Sequence, residues 1–257
     1  MFVYASINVK IFWFSRTGVL SNCSKEDYSL TNHNDEKKLL YSSAYQLGIN
    51  LTEDQIESLC ILIDLLIEWN GKINLVGTSD RSRILNELVL DSLIPVPYLP
   101  EKGDLMDFGS GSGFPALIIK ILKPGLQVNL IESNHKKVSF LKYAIHSLKL
   151  KRINVVNKRI EALAEKSKLW GCDIVTSRAM ASLEKIVEYS TPFLRPEGII
   201  VGFLGKDGDT ELKDIRDILS CHQLIIKKTI PYTLPEKETE RTAVLLQKTA
   251  ASKYSPY

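Results

Sequence analysis

Residues 105–115 read Leu-Met-Asp-Phe-Gly-Ser-Gly-Ser-Gly-Phe-Pro, and this stretch decides the fold. Its apolar first half is typical of a buried strand, and a helical pattern of apolar residues begins at Pro115. Between the two lie three glycines spaced by two, Gly109, Gly111 and Gly113. Glycines in such a turn let the backbone approach a ligand closely, because no Cβ intrudes, and the turn aims the helix N-terminus at the same place. The stretch therefore predicts a ligand site where a strand ends.

The spacing of the glycines distinguishes between cofactors. A dinucleotide fingerprint has two residues between its second and third glycines. Here one residue separates Gly111 from Gly113, and Phe114 stands where the fingerprint would have its third glycine. A phenyl ring there leaves little room for a pyrophosphate and suits a wall beside an adenine. About twenty residues on, a second apolar run ends in Glu132, where a carboxylate is expected to bind ribose hydroxyls. This combination indicates a class I S-adenosylmethionine site that includes the three glycines, Phe114 and Glu132.

Length and composition set broad limits. The chain has 257 residues, which is enough for one large domain with an appendage, and its 44% apolar and 25% charged content is ordinary for a globular protein. No apolar run approaches the roughly 20 residues that a membrane span needs, so we expect no membrane partner. The net charge of +3 permits nucleic-acid binding without arguing for it.

The cysteines and histidines give no sign of a metal site or a disulfide framework. No Cys-x-x-Cys pair occurs, and the histidines do not cluster near the cysteines. We therefore expect no metal and predict a cytoplasmic protein with reduced thiols. The four cysteines lie far apart, at Cys23, Cys60, Cys172 and Cys221.

The chain divides into three parts by pattern. Residues 1–38 are predicted to be an N-terminal extension that is at least partly loose, because residues 21–38 are polar. Residues 39–100 are predicted to form a helical subdomain. One helix is capped by Thr52 with Gln55 as a capping box and ends near residues 69–71, and a second spans residues 81–93. Residues 101–257 change to alternating strands and helices.

That alternation predicts an α/β domain with a doubly wound, mostly parallel, seven-stranded sheet of the Rossmann-like kind. Helical patterns lie between most strands, as at residues 136–148 and 183–194. A proline-containing loop joins the last two strands without a helix, so we expect that pair to be antiparallel at one edge. The predicted strands are residues 105–108, 128–131, 153–156, 173–176, 199–203, 224–229 and 243–247.

Ligands in such sheets bind at the carboxyl ends of the strands, which directs attention to the segments that follow each one. Arg178 comes directly after the fourth strand. Its planar guanidinium can bind a carboxylate, a phosphate or the O6/N7 edge of a guanine. The alternative is that it forms an ordinary surface ion pair.

Five segments together resemble the RsmG/GidB family of bacterial methyltransferases. Two of them are the more specific ones, Trp-Asn-Gly-Lys-Ile-Asn-Leu at residues 69–75 and Ser-Arg-Ala-Met-Ala-Ser at residues 177–182. The others are Leu-Asp-Ser-Leu at 90–93, the glycine segment at 107–115, and Ile-Glu-Ser-Asn-His-Lys-Lys at 131–137. The resemblance extends from about residue 40 to about residue 248.

The resemblance implies a class I methyltransferase fold behind a helical N-terminal part. It implies methyl transfer from S-adenosylmethionine to N7 of a guanine in 16S rRNA, with the rRNA or the small ribosomal subunit as partner. By position, cofactor contacts are implied at Gly109, Phe114, the pair Ile160 and Glu161, and Arg178, and we take Arg178 as the candidate catalytic residue. The chain departs from the family pattern at three places: Leu88, Ala116 and Leu204.

The residues suit this chemistry. Guanine N7 has a lone pair and no proton, so the reaction needs positioning rather than a general base. The loop after the fourth strand has no Pro-Pro-Tyr element and no cysteine nucleophile. A cluster of basic residues in the segment after residue 135 is either a solvated helix face or a phosphate-binding surface. These residues are Lys136, Lys137, Lys142, Lys149, Lys151, Arg152, Lys158 and Arg159.

Two alternatives stay open from sequence. One is a methyltransferase for another RNA or a small molecule, and the other is a non-catalytic protein that binds S-adenosylmethionine or RNA. The departures at Leu88 and Leu204 make the second alternative worth testing. We expect a monomer and no DNA partner.

Overall fold

The computed structural model describes residues 33–164, 171–178, 182–206, 208–234 and 237–250. Most of the predicted N-terminal extension lies outside the described residues. Helix α1 (His33–Gln46) covers the last six residues of that extension, so the helical part starts before the predicted boundary at residue 39.

Among the described residues, four α-helices precede the sheet. After α1 comes α2 (Glu53–Asn70), whose capping box is confirmed: Gln55 N donates to Thr52 Oγ1 at 3.2 Å, and Thr52 N donates to Gln55 Oε1 at 3.0 Å. The predicted helix at residues 81–93 is helical throughout, as α3 (Arg81–Ile84), a π-helical stretch (Leu85–Leu90) and α4 (Asp91–Leu93). A short 3₁₀ turn (Val96–Tyr98) follows.

Strands and helices then alternate along the chain. The strands are β1 (Gly103–Phe108), β2 (Leu126–Ile131), β3 (Ile153–Val156), β4 (Cys172–Ser177), β5 (Leu194–Leu204), β6 (Leu224–Leu234) and β7 (Lys237–Lys248). The helices between them are α5 (Ala116–Leu122), α6 (His135–Ser147), α7 (Ile160–Ala164), α8 (Leu183–Ser190), α9 (Gly208–Asp214) and α10 (Arg216–Cys221).

The seven strands form one sheet in the order β3-β2-β1-β4-β5-β7-β6. Strands β1 to β5 pair in parallel, and β7 pairs antiparallel with both β5 and β6. The prediction of a mostly parallel sheet with an antiparallel pair at one edge is confirmed. Because β1 has β2 on one side and β4 on the other, the strand order reverses there, and the crevice beyond the carboxyl ends of β1 and β4 is where this fold binds ligands.

Each face of the sheet has its own buried cluster. Helices α1 to α6 pack on one face, in a cluster that also includes sheet residues such as Leu105 and Val128. The shorter helices α7 to α10 pack on the other face with Met106 and Phe108. The N-terminal helices therefore share a core with the sheet, because the apolar face of α2 meets α5.

Helix α5 shows how deeply the glycine turn is embedded. All seven of its residues are buried, since it lies between the N-terminal helices and the sheet. Its one charged residue, Lys120, donates from Nζ to the carbonyls of Pro124 at 2.8 Å and Leu126 at 2.5 Å, which satisfies the ammonium without an ion pair. The helix that leaves the glycine turn is thus held rigidly on both sides.

Several predicted boundaries differ from the structure. The last two strands extend beyond the predicted ranges 224–229 and 243–247, so Pro231 lies within β6 and not in the connecting loop. The helix predicted at residues 183–194 ends at Ser190, so its last four residues were predicted wrongly. Phe193 is buried against Phe108, with ring centroids 5.5 Å apart, and Leu194 begins β5. Packing on the sheet therefore overrides the helical spacing of these apolar residues. Among the helices of the described ranges, none has the length and apolar content needed to span a bilayer.

Candidate S-adenosylmethionine cleft

A cleft of about 540 Å³ opens at the carboxyl ends of β1, β2 and β4, which is a usual size for a small-molecule site. Its walls come from distant parts of the chain: residues 75–77, Leu88, residues 109–112, Phe114, residues 131–133, Lys137, residues 158–161 and Arg178. Of the predicted site residues, only Gly113 is not among those lining the cleft.

The three glycines of the turn have left-handed backbone conformations, with φ of +67° at Gly109, +53° at Gly111 and +86° at Gly113. Side chains rarely adopt these angles, which explains why glycine stands at each position. A Cβ at Gly113 would overlap the Leu117 side chain and lie 3.2 Å from Leu141 Cδ2. Gly113 thus allows α5 to pack closely under the turn, while Gly109 and Gly111 line the cleft.

Glu132 holds the glycine turn from the end of β2. It is 8% exposed, its Oε2 accepts from Gly111 N at 2.8 Å, and its Oε1 accepts from Asn134 N at 2.8 Å. Each carboxylate oxygen accepts one backbone N–H and has a further lone pair. The carboxylate can therefore still accept hydrogen bonds from a pair of ribose hydroxyls in the cleft.

The remaining cofactor candidates also line the cleft. Phe114 is buried and belongs to the core cluster, yet it also lines the cleft, so core packing and a cofactor wall are both compatible with its position. Ile160 is buried at the start of α7, and Glu161 beside it is exposed and accepts from Tyr189 Oη at 3.4 Å. The structure brings these residues to the same cleft as Glu132.

Arg178 follows β4 and lines the cleft, as expected, but it is not a surface ion pair. Its side chain is 16% exposed, its Nη2 donates to the Glu87 carbonyl, and its Nε lies 3.3 Å from Asp91 Oδ2. Its Nη1 is buried and has no hydrogen-bond partner within the described part of the chain. A buried N–H without a partner is costly, so this group is suited to an acceptor that enters the cleft.

Sequence reasoning did not single out Asp91 as a functional residue. Its carboxylate is 1% exposed and accepts from Tyr232 Oη at 2.6 Å and Arg241 Nη1 at 3.0 Å, in addition to its ion pair with Arg178. Burial and the nearby Asp91 raise the pKa of Tyr232 above its usual range, so the phenol stays protonated and donates. The one sequence signal was a carboxylate directly after the apolar run at residues 88–90, since a carboxylate that is buried with such a run requires partners.

A second missed wall is the loop after α2. Asn70 Oδ1 accepts from Leu75 N at 2.8 Å and Val76 N at 3.0 Å, while its Nδ2 donates to the Thr78 carbonyl at 3.0 Å. One amide side chain therefore folds the loop so that residues 75–77 face the cleft. Leu88, one of the departures from the family pattern, also lines the cleft and makes this wall apolar.

Asp107 lies beneath the glycine turn. Its Oδ1 accepts from Thr176 Oγ1 at 2.6 Å, and its Oδ2 is buried without a hydrogen-bond partner among the described residues. Burial raises the pKa of this carboxyl to about 7, and the charge of Glu132 nearby acts in the same direction. Asp107 therefore joins β1 to β4 under the turn and does not line the cleft.

The raised pKa gives a pH-dependent stability prediction for Asp107→Asn. Between the unfolded pKa near 4 and the folded pKa near 7, the folded protein keeps a proton that the unfolded chain has lost, so this residue's contribution to stability falls as pH rises. Asparagine does not titrate. The free energy of unfolding of the variant, relative to wild type, should rise by about 2–4 kcal/mol between pH 4 and pH 8. Urea unfolding of both proteins across this range measures it, and a constant difference would contradict it.

The described cysteines take no part in the cleft. Cys172 begins β4 at the amino end of the sheet, and burial raises its pKa to about 12, while burial raises that of Cys60 to about 11. Neither thiol is poised as a nucleophile. Within the described ranges, no group of three or more potential metal ligands occurs.

The cleft fits S-adenosylmethionine in its chemistry. Gly109 and Gly111 offer close backbone approach, Glu132 retains lone pairs for ribose hydroxyls, and Phe114 supplies an apolar wall. Nη1 of Arg178, which has no hydrogen-bond partner among the residues that the structure describes, suits an anionic or carbonyl acceptor. When bound, the cofactor supplies a sulfonium methyl group as the electrophile.

Solved structures share this fold. A ribosomal protein L11 methylase from Lactobacillus delbrueckii subsp. bulgaricus aligns with a TM-score of 0.51 and 12% identity over 63% of this chain and 79% of that one. TYW2 from P. horikoshii, solved in complex with MeSAdo, aligns with a TM-score of 0.51 and 13% identity over 64% of this chain and 63% of that one. At this identity the likeness shows the class I methyltransferase fold alone.

Sequence relatives narrow the assignment. A ribosomal RNA small subunit methyltransferase G from Geobacter sp. (strain M21) is 33% identical over 210 residues, which is 82% of this chain and 96% of that protein. The protein of the same name from Acinetobacter baumannii (strain ATCC 17978) is 34% identical over 209 residues, covering 81% and 96%. A family model described as rRNA small subunit methyltransferase G matches residues 55–241. The chain belongs to this rRNA small subunit methyltransferase G family, GidB.

Proposed function

We propose that this protein transfers a methyl group from S-adenosylmethionine to N7 of a guanine in 16S rRNA. The observation that carries the proposal is the convergence of the glycine turn, Glu132 and Arg178 on one cleft in a chain of this family. The relatives' names specify the small-subunit rRNA as their substrate. The same fold serves many reactions, so the residues of the cleft, and not the fold, support this reaction.

The lining of the cleft suits an N7 acceptor. The guanine N7 lone pair attacks without losing a proton, so no general base is required. Of the residues assigned to the cleft walls, none is a histidine or a cysteine. The two carboxylates there are engaged, Glu132 with the glycine turn and Glu161 with Tyr189. The chain's contribution is to hold both reactants in line and exclude water, which alone accounts for a large share of a rate enhancement.

Arg178 is the candidate catalytic residue. Its Nη1 is a buried donor without a partner among the described residues, and the acceptors compatible with a guanidinium here are a carboxylate, a phosphate and the O6/N7 edge of guanine. Any of these contacts would fix one reactant relative to the other. We retain Gly109, Gly111, Gly113, Phe114, Glu132, Ile160 and Glu161 as the cofactor-binding set, with Gly113 acting through the packing of α5.

The rim of the cleft favours RNA over a small molecule. Lys137, Lys158 and Arg159 line the cleft, and Lys158 and Arg159 are exposed. Further exposed basic residues continue from them along α6 and the β3 edge of the sheet, at Lys136, Lys142, Lys149, Lys151 and Arg152. A basic surface continuous with the cleft can attract the phosphates on either side of a target nucleotide.

Charge reversal on this rim is expected to weaken RNA binding. In the double variant Lys136→Glu, Lys137→Glu, affinity for the small ribosomal subunit should fall at least tenfold. The slope of log affinity against log salt should become shallower by about 0.7–0.9 for each phosphate that the variant no longer neutralises. The matched control is Lys213→Glu with Lys227→Glu, the same charge change on α9 and on the opposite edge strand β6. Equal effects in both doubles, or no salt dependence in wild type, would argue against the rim.

We place this activity in the cytoplasm and expect a monomer. The substrate is part of the ribosome, and the basic rim and cleft are formed within one chain. The proposal requires neither a membrane nor DNA.

The test is nucleoside mapping of rRNA by mass spectrometry in cells with and without this gene. The proposal expects one 7-methylguanosine in 16S rRNA that is lost in the deletion strain. Purified protein with labelled S-adenosylmethionine should restore it on small subunits from that strain. Unchanged 16S rRNA in the deletion strain would overturn the rRNA assignment. Methyl incorporation into a small molecule instead would favour the alternative substrate class, and cofactor binding without any transfer would favour the non-catalytic alternative.

A further inference from the structure

Four side chains from three distant parts of the chain meet behind the cleft, and we call them the Asp91 cluster: Asp91, Arg178, Tyr232 and Arg241. Asp91 is at its centre and is 1% exposed. Tyr232 and Arg241 donate to its Oδ1, and Arg178 pairs with its Oδ2. Only Arg178 of the four also lines the cleft.

One face of the helical segment contacts two atoms of Arg178, through Glu87 in the π-helical stretch and Asp91 four positions later. The Glu87 carbonyl accepts from Nη2, and the Asp91 carboxylate lies 3.3 Å from Nε. Both contacts are on the same edge of the planar guanidinium, which fixes its plane and leaves Nη1 on the other edge. Widened helical turns of this kind occur often at functional sites.

We propose that Asp91 is a positioning residue for the methyl transfer, holding the Arg178 guanidinium so that Nη1 faces the reactants. The inference rests on the proposed function and deepens it. Asp91 itself touches no reactant, because it is not among the residues that line the cleft. Its four-membered cluster contains two guanidiniums and one carboxylate, so one positive charge is left over for an acceptor in the cleft.

Stability alone is a weak explanation for this cluster. Burying an ion pair costs desolvation that its attraction often fails to offset, and an apolar replacement of similar volume is often neutral or stabilising. A cluster retained next to a binding cleft is instead suited to fixing a geometry, and in the described part of the chain its Arg178 Nη1 and Asp91 Oδ2 have no hydrogen-bond partner. The role predicts that Asp91 matters for transfer through Arg178.

A double-mutant cycle tests this dependence. Asp91→Asn removes the charge and keeps the shape, and it is expected to lower kcat/KM by on the order of ten- to a hundredfold, the same range that is expected for Arg178→Ala. If Asp91 acts through Arg178, the double variant should be no worse than Arg178→Ala alone. Calorimetric affinity for S-adenosylmethionine and for the small subunit, measured on the same four proteins, should show the same non-additivity for whichever ligand Arg178 contacts.

The opposite end of β4 supplies a matched cycle. There Arg195 pairs with Asp173 at 2.9 Å and with Asp104 at 2.8 Å, far from the cleft. The variants Asp173→Asn and Arg195→Ala remove the same kinds of group from the same strand region. They should change urea stability and leave kcat/KM and both affinities unchanged.

A further variant covers the case in which Asp91→Asn does not fold. Asp91→Glu keeps the charge and moves the carboxylate by one methylene, so the chain retains its ion pairs while Arg178 is displaced. It should lower kcat/KM in the wild-type background and have no effect in the Arg178→Ala background. If wild type is active and the losses in kcat/KM are additive when Arg178→Ala is combined with Asp91→Asn or with Asp91→Glu, the positioning role is overturned. An inactive wild type on small subunits would instead count against the proposed function, and the affinity cycle would still decide the role of Asp91.

Discussion

Binding of S-adenosylmethionine is expected to be lost when Gly111 is replaced by valine. Gly111 has φ of +53°, a conformation in which a β-branched residue is a genuine outlier. Forcing an L-residue into it costs about 1–2 kcal/mol, and the turn relieves that strain by changing its backbone angles. The relaxed turn withdraws the Gly111 N–H from Glu132 and places a side chain in the cleft. We expect calorimetric affinity to fall at least about a hundredfold, near 2.8 kcal/mol.

Gly48 is the control for backbone strain. It has φ of +75°, follows α1, and would meet no heavy atom within 4 Å if a Cβ were added. Gly48→Val should therefore lower the free energy of unfolding by about 1–2 kcal/mol and leave cofactor affinity unchanged. If Gly111→Val keeps its affinity while folding normally, the glycine turn is not the cofactor site.

The features that could be predicted depend on residues close together in the sequence. These are the glycine turn and the capping box of α2, which depend on residues within about four positions of one another, and the carboxylate at the end of β2. The alternation of strands and helices defines the sheet because each element buries an apolar face with its own period. These local rules place Gly109, Glu132 and Arg178 at the same edge before any tertiary interaction is known.

The unpredictable parts depend on interactions between distant positions. Tyr232 and Arg241 lie 141 and 150 positions from Asp91, and nothing in their own neighbourhoods indicates that they converge. The apolar pattern of residues 85–90 likewise does not predict a π-helix. Nor does the sequence predict that the Asn70 side chain holds the loop after α2 against the cleft. The helix predicted to reach residue 194 fails for the same reason, because pairing with β4 takes Leu194 into the sheet.

The presence of Leu88 shows how one departure from the family pattern acts physically. It lies in the π-helical stretch and faces the cleft, next to the carbonyl that holds Arg178. A leucine side chain at this position cannot form a hydrogen bond with a substrate. Polar contacts from this side of the cleft therefore depend on Arg178. The effect of changing Arg178 should therefore be large in this protein.

Arg178→Ala is expected to lower kcat/KM for methyl transfer to the small ribosomal subunit by about ten- to a hundredfold. Its guanidinium is mostly buried, and losing one charged hydrogen bond costs about 1.5–3 kcal/mol, which corresponds to that range of rates. Arg178→Lys should rescue poorly, because an ammonium cannot keep the Glu87 carbonyl and Asp91 on one edge while offering a donor on the other. Single-turnover assays with saturating S-adenosylmethionine separate a loss in the chemical step from a loss in binding.

The control for this prediction is Arg195→Ala. It removes a guanidinium at the start of β5, next to the amino end of β4, whereas Arg178 follows the carboxyl end of β4. Arg195 pairs with Asp104 and Asp173 at the amino ends of β1 and β4, so its loss should lower stability without changing the rate. Wild-type turnover in Arg178→Ala would mean that the buried Nη1 meets no reactant. Equal losses in Arg178→Ala and Arg195→Ala would mean that the protein responds to weakened packing of β4. A selective loss in Arg178→Ala requires the guanidinium to act inside the cleft, because both variants delete the same group.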